Sequence, residues 1–326
     1  MNAQLSEYDY DLPRELIAQR PSAHREDSRM MVLRRGAKTI EHQRFRDLKA
    51  FLQAGDLAVL NDTRVVPARR YSDDGAIEFL FLERLGAKRW KCLVQPGRKM
   101  RIGCTATISG TELRVEEITP DGERIVELSD DVDVYSGGSM PLPPYIRRES
   151  DVQDAARYQT VFARTPGALA APTAGLHFTP EILNGIPHTF VTLHVGTGTF
   201  LPVRAQNIAE HRMHTERFSV SVDAAAAINT AGRIIAVGTT VVRVLESARR
   251  EHGKLIAQEG STDIFIYPPY QFQAVDVLLT NFHLPHSTLL MLVSAFAGRE
   301  FLLTAYREAI REHYRFYSYG DCMLIL

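Results

Sequence analysis

Ile234–Arg250 reads IIAVGTTVVRVLESARR. Ile234–Val237 is a short apolar run suited to a buried strand. Gly238-Thr239-Thr240 is a turn, and Val241–Arg250 reads as a helix. A strand that passes through a tight turn straight into a helix is the building unit of an α/β fold. The pattern recurs along the chain. Leu57–Leu60 ends at Asn61-Asp62-Thr63-Arg64, and Phe190–His194 runs into Val195-Gly196-Thr197-Gly198-Thr199. Val275–Leu279 ends at Thr280-Asn281-Phe282-His283, after which Ser287 is placed to cap a helix over Thr288–Gly298. Ala224–Arg233 is an Ala-rich helix. The alternation predicts a mostly parallel sheet.

From about Pro67 the texture changes. Ile77–Glu83, Trp90–Gln95, Thr105–Ile108, Leu113–Glu117 and Arg124–Leu128 are short β-rich runs separated by glycines. Such spacing suggests a small barrel or sandwich. The expected architecture is a main three-layer α/β domain, formed by residues 1–66 and 151–326, with an inserted small antiparallel β-barrel domain at 67–150. A chain of 326 residues exceeds the usual size of one core, which agrees with two domains.

Composition narrows the class. With 45% hydrophobic and 24% charged residues the chain reads as soluble and globular. The start lacks the basic and apolar regions of a secretory signal. The apolar run Thr288–Ala297 is too short to span a bilayer. Three cysteines without metal-ligand spacing suggest reduced thiols and a cytoplasmic location. Net charge is −1, but residues 1–101 hold 20 Lys and Arg against 14 Asp and Glu. Within that basic third, Arg64, Arg69, Arg70, Lys88, Arg89, Lys91, Arg98, Lys99 and Arg101 crowd together, either as solvated strand surface or as phosphate contacts.

In open α/β sheets ligands bind beyond the carboxyl ends of the strands. The four polar strand ends are therefore expected to share one site. Pro166–Val203 adds His177 and His194 set in small-residue backbone, where an imidazole can move protons near neutral pH. The glycine turns match neither a dinucleotide fingerprint nor a P-loop. His211 and His214 stand near Glu210 and Glu216 without a metal-ligand pattern, and no metal is expected. Arg243 and Glu246, three apart on one helix, form either a surface pair or part of the site. Tyr314–Asp321 is aromatic-dense, suited to core packing or to stacking on a purine.

The ordered set of motifs resembles the S-adenosylmethionine:tRNA ribosyltransferase-isomerase family of queuosine synthesis. It comprises Tyr8–Pro13, Leu60–Arg69, Met140–Ile146, Arg157–Val161, Gly167–Thr179, His194–Val203, His211–His214, Gly238–Ser247, Thr280–Gly298 and Tyr314–Leu324. The resemblance implies an α/β domain plus a β-barrel domain. It implies transfer and isomerisation of the ribosyl part of S-adenosylmethionine onto 7-aminomethyl-7-deazaguanine at the tRNA wobble position, with release of adenine and methionine. No cofactor is implied beyond that consumed co-substrate, and the partner is tRNA; a monomer or weak homodimer is expected, away from membranes. His177, His194, Glu246 and Asp321 are the implied catalytic residues. Asn61, Thr63, Arg64, Thr173, Gly196, Thr197, Gly198 and Thr199 would bind substrate. So would Gly238, Thr239, Thr240, Arg243, Asn281 and His283. Arg69, Lys88, Arg89, Arg98, Lys99 and Arg101 would contact tRNA. The family commonly has Ser where this chain has Val241 and Val244, a Gly where it has Pro269, and an Ala where it has Cys322. Competing readings are an S-adenosylmethionine-dependent RNA methyltransferase, for which no early glycine-rich loop is found, and a non-catalytic tRNA-binding module.

Overall fold

Nine strands form one large sheet in the computed structural model of the chain, which describes residues 4–196, 198, 203 and 205–326. Their order across the sheet is Gln258–Thr262, Glu216–Val220, His188–Leu193, Asp56–Asn61, Arg233–Val237, Val277–Asn281, Cys322–Ile325, Arg29–Arg34 and Thr39–Arg44. The sheet is mixed rather than mostly parallel, since four of its eight neighbouring pairs are antiparallel. Sequence pattern missed this because antiparallel strands join its two flanks and Cys322–Ile325 enters reversed beside Val277–Asn281. The central four strands, from His188–Leu193 to Val277–Asn281, are parallel neighbours. Their carboxyl ends therefore share one edge.

Side chains of a strand alternate between faces, and the core follows that rule. Leu57, Val59, Ile234, Ala236 and Leu278 enter one core, while Ala58, Leu60, Ile235, Val237, Val277 and Leu279 enter another. The first core takes in helices Thr239–Ser247 and Thr288–Ala297. Val241, Val242, Val244 and Leu245 are sealed in it, so Val241 and Val244 are packing residues. Gly238 adopts φ 94°, a left-handed conformation that lets the chain leave its strand and enter the helix at once. Ser287 caps the later helix, accepting from the Leu290 amide at 3.2 Å as its position suggested.

The chain forms two compact units, Met1–Arg64 with Pro143–Arg148 and Gln159–Leu326, and Val65–Leu142 with Glu149–Tyr158. The second holds six antiparallel strands in the order Arg69–Tyr71, Glu78–Arg84, Arg89–Gln95, Arg124–Leu128, Thr111–Ile118 and Thr105–Ile108. Its two end strands are brought together by Asp73. The Asp73 amide donates to the Thr107 carbonyl at 2.8 Å, and its carboxylate accepts from the amides of Ser109 and Gly110 at 2.6 and 2.9 Å. This nearly closes the sheet into a barrel around Phe79, Phe81, Trp90, Leu113 and Val126.

Candidate functional site

At the carboxyl edge of the central strands lies a pocket of about 650 Å³ of empty space, its open mouth included. Three of the four strand ends contribute to it: Val195, Gly238-Thr239-Thr240 and Thr280-Asn281-Phe282-His283. Ala170–Ala174 forms a further wall, including Thr173. Tyr145, Leu284, Ser287, Leu289, Tyr317 and Ser318 also line it, and none of them is among the site residues expected from sequence. Ser287 is read from sequence as a cap, Tyr145 as part of the proline-rich Met140–Ile146 motif, and Tyr317 within the aromatic stretch suited to core packing or to stacking on a purine. Tyr317 and Ser318 arrive because Cys322 pairs with Asn281 in antiparallel register, which turns the residues before Cys322 towards the same edge. No Asp, Glu, Lys or Arg lines the pocket among the described residues.

Asn281 is held on every side. Its Nδ2 donates to the Tyr317 carbonyl at 2.9 Å, and its Oδ1 faces His177 Nε2 at 3.2 Å. That orientation makes His177 Nε2 the donor, so Nδ1 accepts from Ser28 Oγ at 2.9 Å. Both ring nitrogens are thus occupied. Burial pushes His177 down to about 4, against the smaller opposing effect of Asn281. The expected acid/base residue is therefore a neutral, fully bonded ring behind the pocket wall.

His194 sits differently. It is half-buried, and Nδ1 lies 2.8 Å from Thr63 Oγ1. Burial, with Arg217 nearby, lowers its pKa, while Asp62 opposes the shift. Gly167, with φ 142°, passes so close that a Cβ there would stand 2.9 Å from the imidazole. His194 does not line the pocket, though Leu169 and Val195 join by a backbone hydrogen bond at its border.

Other expected site residues serve as clamps. Asn61 bonds both the amide and the carbonyl of Leu193, at 3.0 and 2.9 Å, and so ties two strand ends. Asp321 accepts from the amides of Arg29 and Arg315, both at 2.8 Å, and burial raises its pKa. Glu246 accepts from Tyr270 Oη and the amides of Gln273 and Ala274, so it fixes a loop outside the pocket. Arg243 does not pair with Glu246. It is buried against Glu216, which also accepts from the Gly196 amide at 2.8 Å. Glu216 drew notice from sequence only as a residue without metal spacing. Gly198 lies against the His214 ring and Arg64 is exposed. Thr197 and Thr199 fall outside the described residues.

In the barrel unit the basic residues divide. Arg89 pairs with Glu116 at 2.8 Å, Arg69 with Glu78 at 2.9 Å, and Lys88 donates to the Ser129 carbonyl. Arg98, Lys99 and Arg101 are exposed and make no ion pair within 4.0 Å among the described residues.

Residues 5–325 match the model of a family described as queuosine biosynthesis protein. The S-adenosylmethionine:tRNA ribosyltransferase-isomerase of Moorella thermoacetica is 50% identical over 342 residues, covering 99% of each chain. That of Symbiobacterium thermophilum is 50% identical over 347 residues, again with 99% of each chain covered. The crystal structure of S-adenosylmethionine tRNA ribosyltransferase from Thermotoga maritima is similar at 41% identity, with 98% of this chain and 100% of that chain covered and a TM-score of 0.57.

Proposed function

Because the chain belongs to the queuosine biosynthesis protein family, we propose that it acts as an S-adenosylmethionine:tRNA ribosyltransferase-isomerase. It moves the ribosyl part of S-adenosylmethionine onto 7-aminomethyl-7-deazaguanine at the tRNA wobble position and isomerises it to the epoxycyclopentanediol of epoxyqueuosine. Adenine and methionine leave. The observation that carries the reading for this chain is the pocket at the strand edge, rich in hydroxyls and small residues and, among the described residues, lined by no charged side chain. Such a lining suits the uncharged nucleoside end of the co-substrate, while the charged methionine end belongs towards the mouth.

Within this reading, the Gly238 turn with Thr239 and Thr240 holds the ribose hydroxyls. Thr240 Oγ1 is buried without a hydrogen-bond partner among the described residues, and a ligand hydroxyl would supply one. Tyr145 and Tyr317, with ring centroids 4.7 Å apart, offer aromatic faces to the purine. His194 is the accessible imidazole for proton transfer, and His177 positions Asn281. Arg98, Lys99 and Arg101 meet tRNA phosphates. We take the barrel unit, expected at residues 67–150, as an inserted domain, and the two cores of the large sheet as the filling of a three-layer catalytic domain.

The test supplies ribose-labelled S-adenosylmethionine and tRNA bearing 7-aminomethyl-7-deazaguanine. Label appears in the tRNA with one adenine released per transfer. Methyl transfer without adenine release would overturn the reading.

A further inference from the structure

We propose that His283 is a catalytic hydrogen-bond donor, presenting Nδ1–H to the purine of the co-substrate. The backbone of His283 is fixed on both sides. Its amide donates to Tyr306 Oη at 2.9 Å, and its carbonyl accepts from Tyr10 Oη. The ring lines the pocket, and Nε2 lies 2.8 Å from Thr280 Oγ1.

Thr280 decides the tautomer. It is only 1% exposed, and among the described residues its hydroxyl makes no other hydrogen bond. The hydroxyl hydrogen needs an acceptor, and among the described residues His283 Nε2 is the one in reach. Nε2 therefore carries no hydrogen, and the neutral ring holds its proton on Nδ1. Nδ1 has no partner among the described residues. Burial alone pushes His283 down to about 3, which keeps the ring neutral beside a cationic sulfonium. A neutral imidazole fixed as a donor stabilises developing negative charge without giving up its proton.

The purine suits that donor. Its ring nitrogens are in-plane acceptors, and among the described residues no charged side chain lines the pocket to compete. When the bond between the sugar and purine N9 breaks, its electron pair stays with the purine. A hydrogen bond from Nδ1–H to a ring nitrogen lowers the cost of that charge; the proton remains on His283, and the departing purine anion takes its proton from solvent to leave as adenine. The role rests on the ribosyl reading above.

The test combines spectroscopy with kinetics. In the 15N-histidine spectrum of the free enzyme, His283 shows a protonated Nδ1 and a bare Nε2. The opposite pattern would overturn the proposal whatever the variants do. His283→Ala slows adenine release by about 100-fold or more, the scale of one preorganised donor, with KM for S-adenosylmethionine changed by less than about tenfold. His283→Asn, whose Nδ2 stands near the position of Nδ1, recovers more turnover than His283→Gln. An active wild type with His283→Ala at the same kcat overturns this role alone. A wild type that releases no adenine overturns the ribosyl reading and the role together.

Discussion

Lowering the pH should unmask what His177 does. The ring is buried with both nitrogens bonded, and its pKa falls from 6.5 to about 4. Above pH 6.5 it is neutral whether the chain is folded or not, and its ionisation contributes nothing to stability. Between 6.5 and 4 the unfolded chain takes up a proton that the folded ring refuses. Stability therefore falls as pH falls, at about 1.4 kcal/mol per pH unit for one proton. From pH 7.5 to 4.5 this amounts to roughly 2.5 kcal/mol. His177→Gln removes the titration but keeps a side-chain N–H for Asn281. Its own cost at pH 7.5, from the lost Ser28 contact and imperfect packing, is about 1–3 kcal/mol. Urea unfolding of both proteins at pH 7.5, 6.5, 5.5 and 4.5 should show the gap between them narrowing by roughly 2.5 kcal/mol. His283 and Asp321 titrate in both proteins, so they cancel in the difference. Parallel curves would refute a neutral buried ring. Turnover tests the other half: His177→Gln should stay within about tenfold of wild type, and a loss beyond about 100-fold would return His177 to proton transfer.

Gly167→Ala forces a Cβ to 2.9 Å from the His194 ring at φ 142°; a stability loss of about 1–3 kcal/mol and a fall in kcat are expected by urea melts and adenine release, and an unchanged kcat would detach His194 from the reaction. Arg243→Met removes the cation from the buried Glu216 carboxylate and should cost about 3–5 kcal/mol, part of which the double variant with Glu216→Gln recovers; additive losses would contradict the pair. Replacing Arg98, Lys99 and Arg101 with Ser should weaken tRNA binding and lower the slope of log affinity against log salt by about 2–3. Arg89→Ser should leave that slope nearly unchanged, because Glu116 already neutralises the charge, and equal effects would remove the distinction.

Two kinds of residue were hard to separate in advance. Asn61, Glu246 and Asp321 are polar groups close to strand or helix ends, as Thr240 and Asn281 are. Only their partners distinguish them. Asn61 spends its amide on Leu193, 132 positions away, and Asp321 reaches Arg29 across 292. Glu246 turns to a loop that gives no sequence signal of its own. The i, i+3 spacing of Arg243 and Glu246 suggested a pair, yet helix Thr239–Ser247 is buried along most of its length and Arg243 meets a distant strand instead.

The sequence by itself determined the alternation of apolar strands and helices, the separate β-rich block, the polar ends of four strands and the family. Those features are local: period and composition follow from which faces must leave water. Tertiary structure decided the rest. Register between Val277–Asn281 and Cys322–Ile325 brought Tyr317 and Ser318 to the pocket. Burial and spatial neighbours divided three similar histidines into a sealed ring behind the pocket, His177; a half-buried ring, His194; and a ring lining the pocket, His283. A side chain's protonation and free valence depend on what surrounds it in space, and no local pattern carries that information.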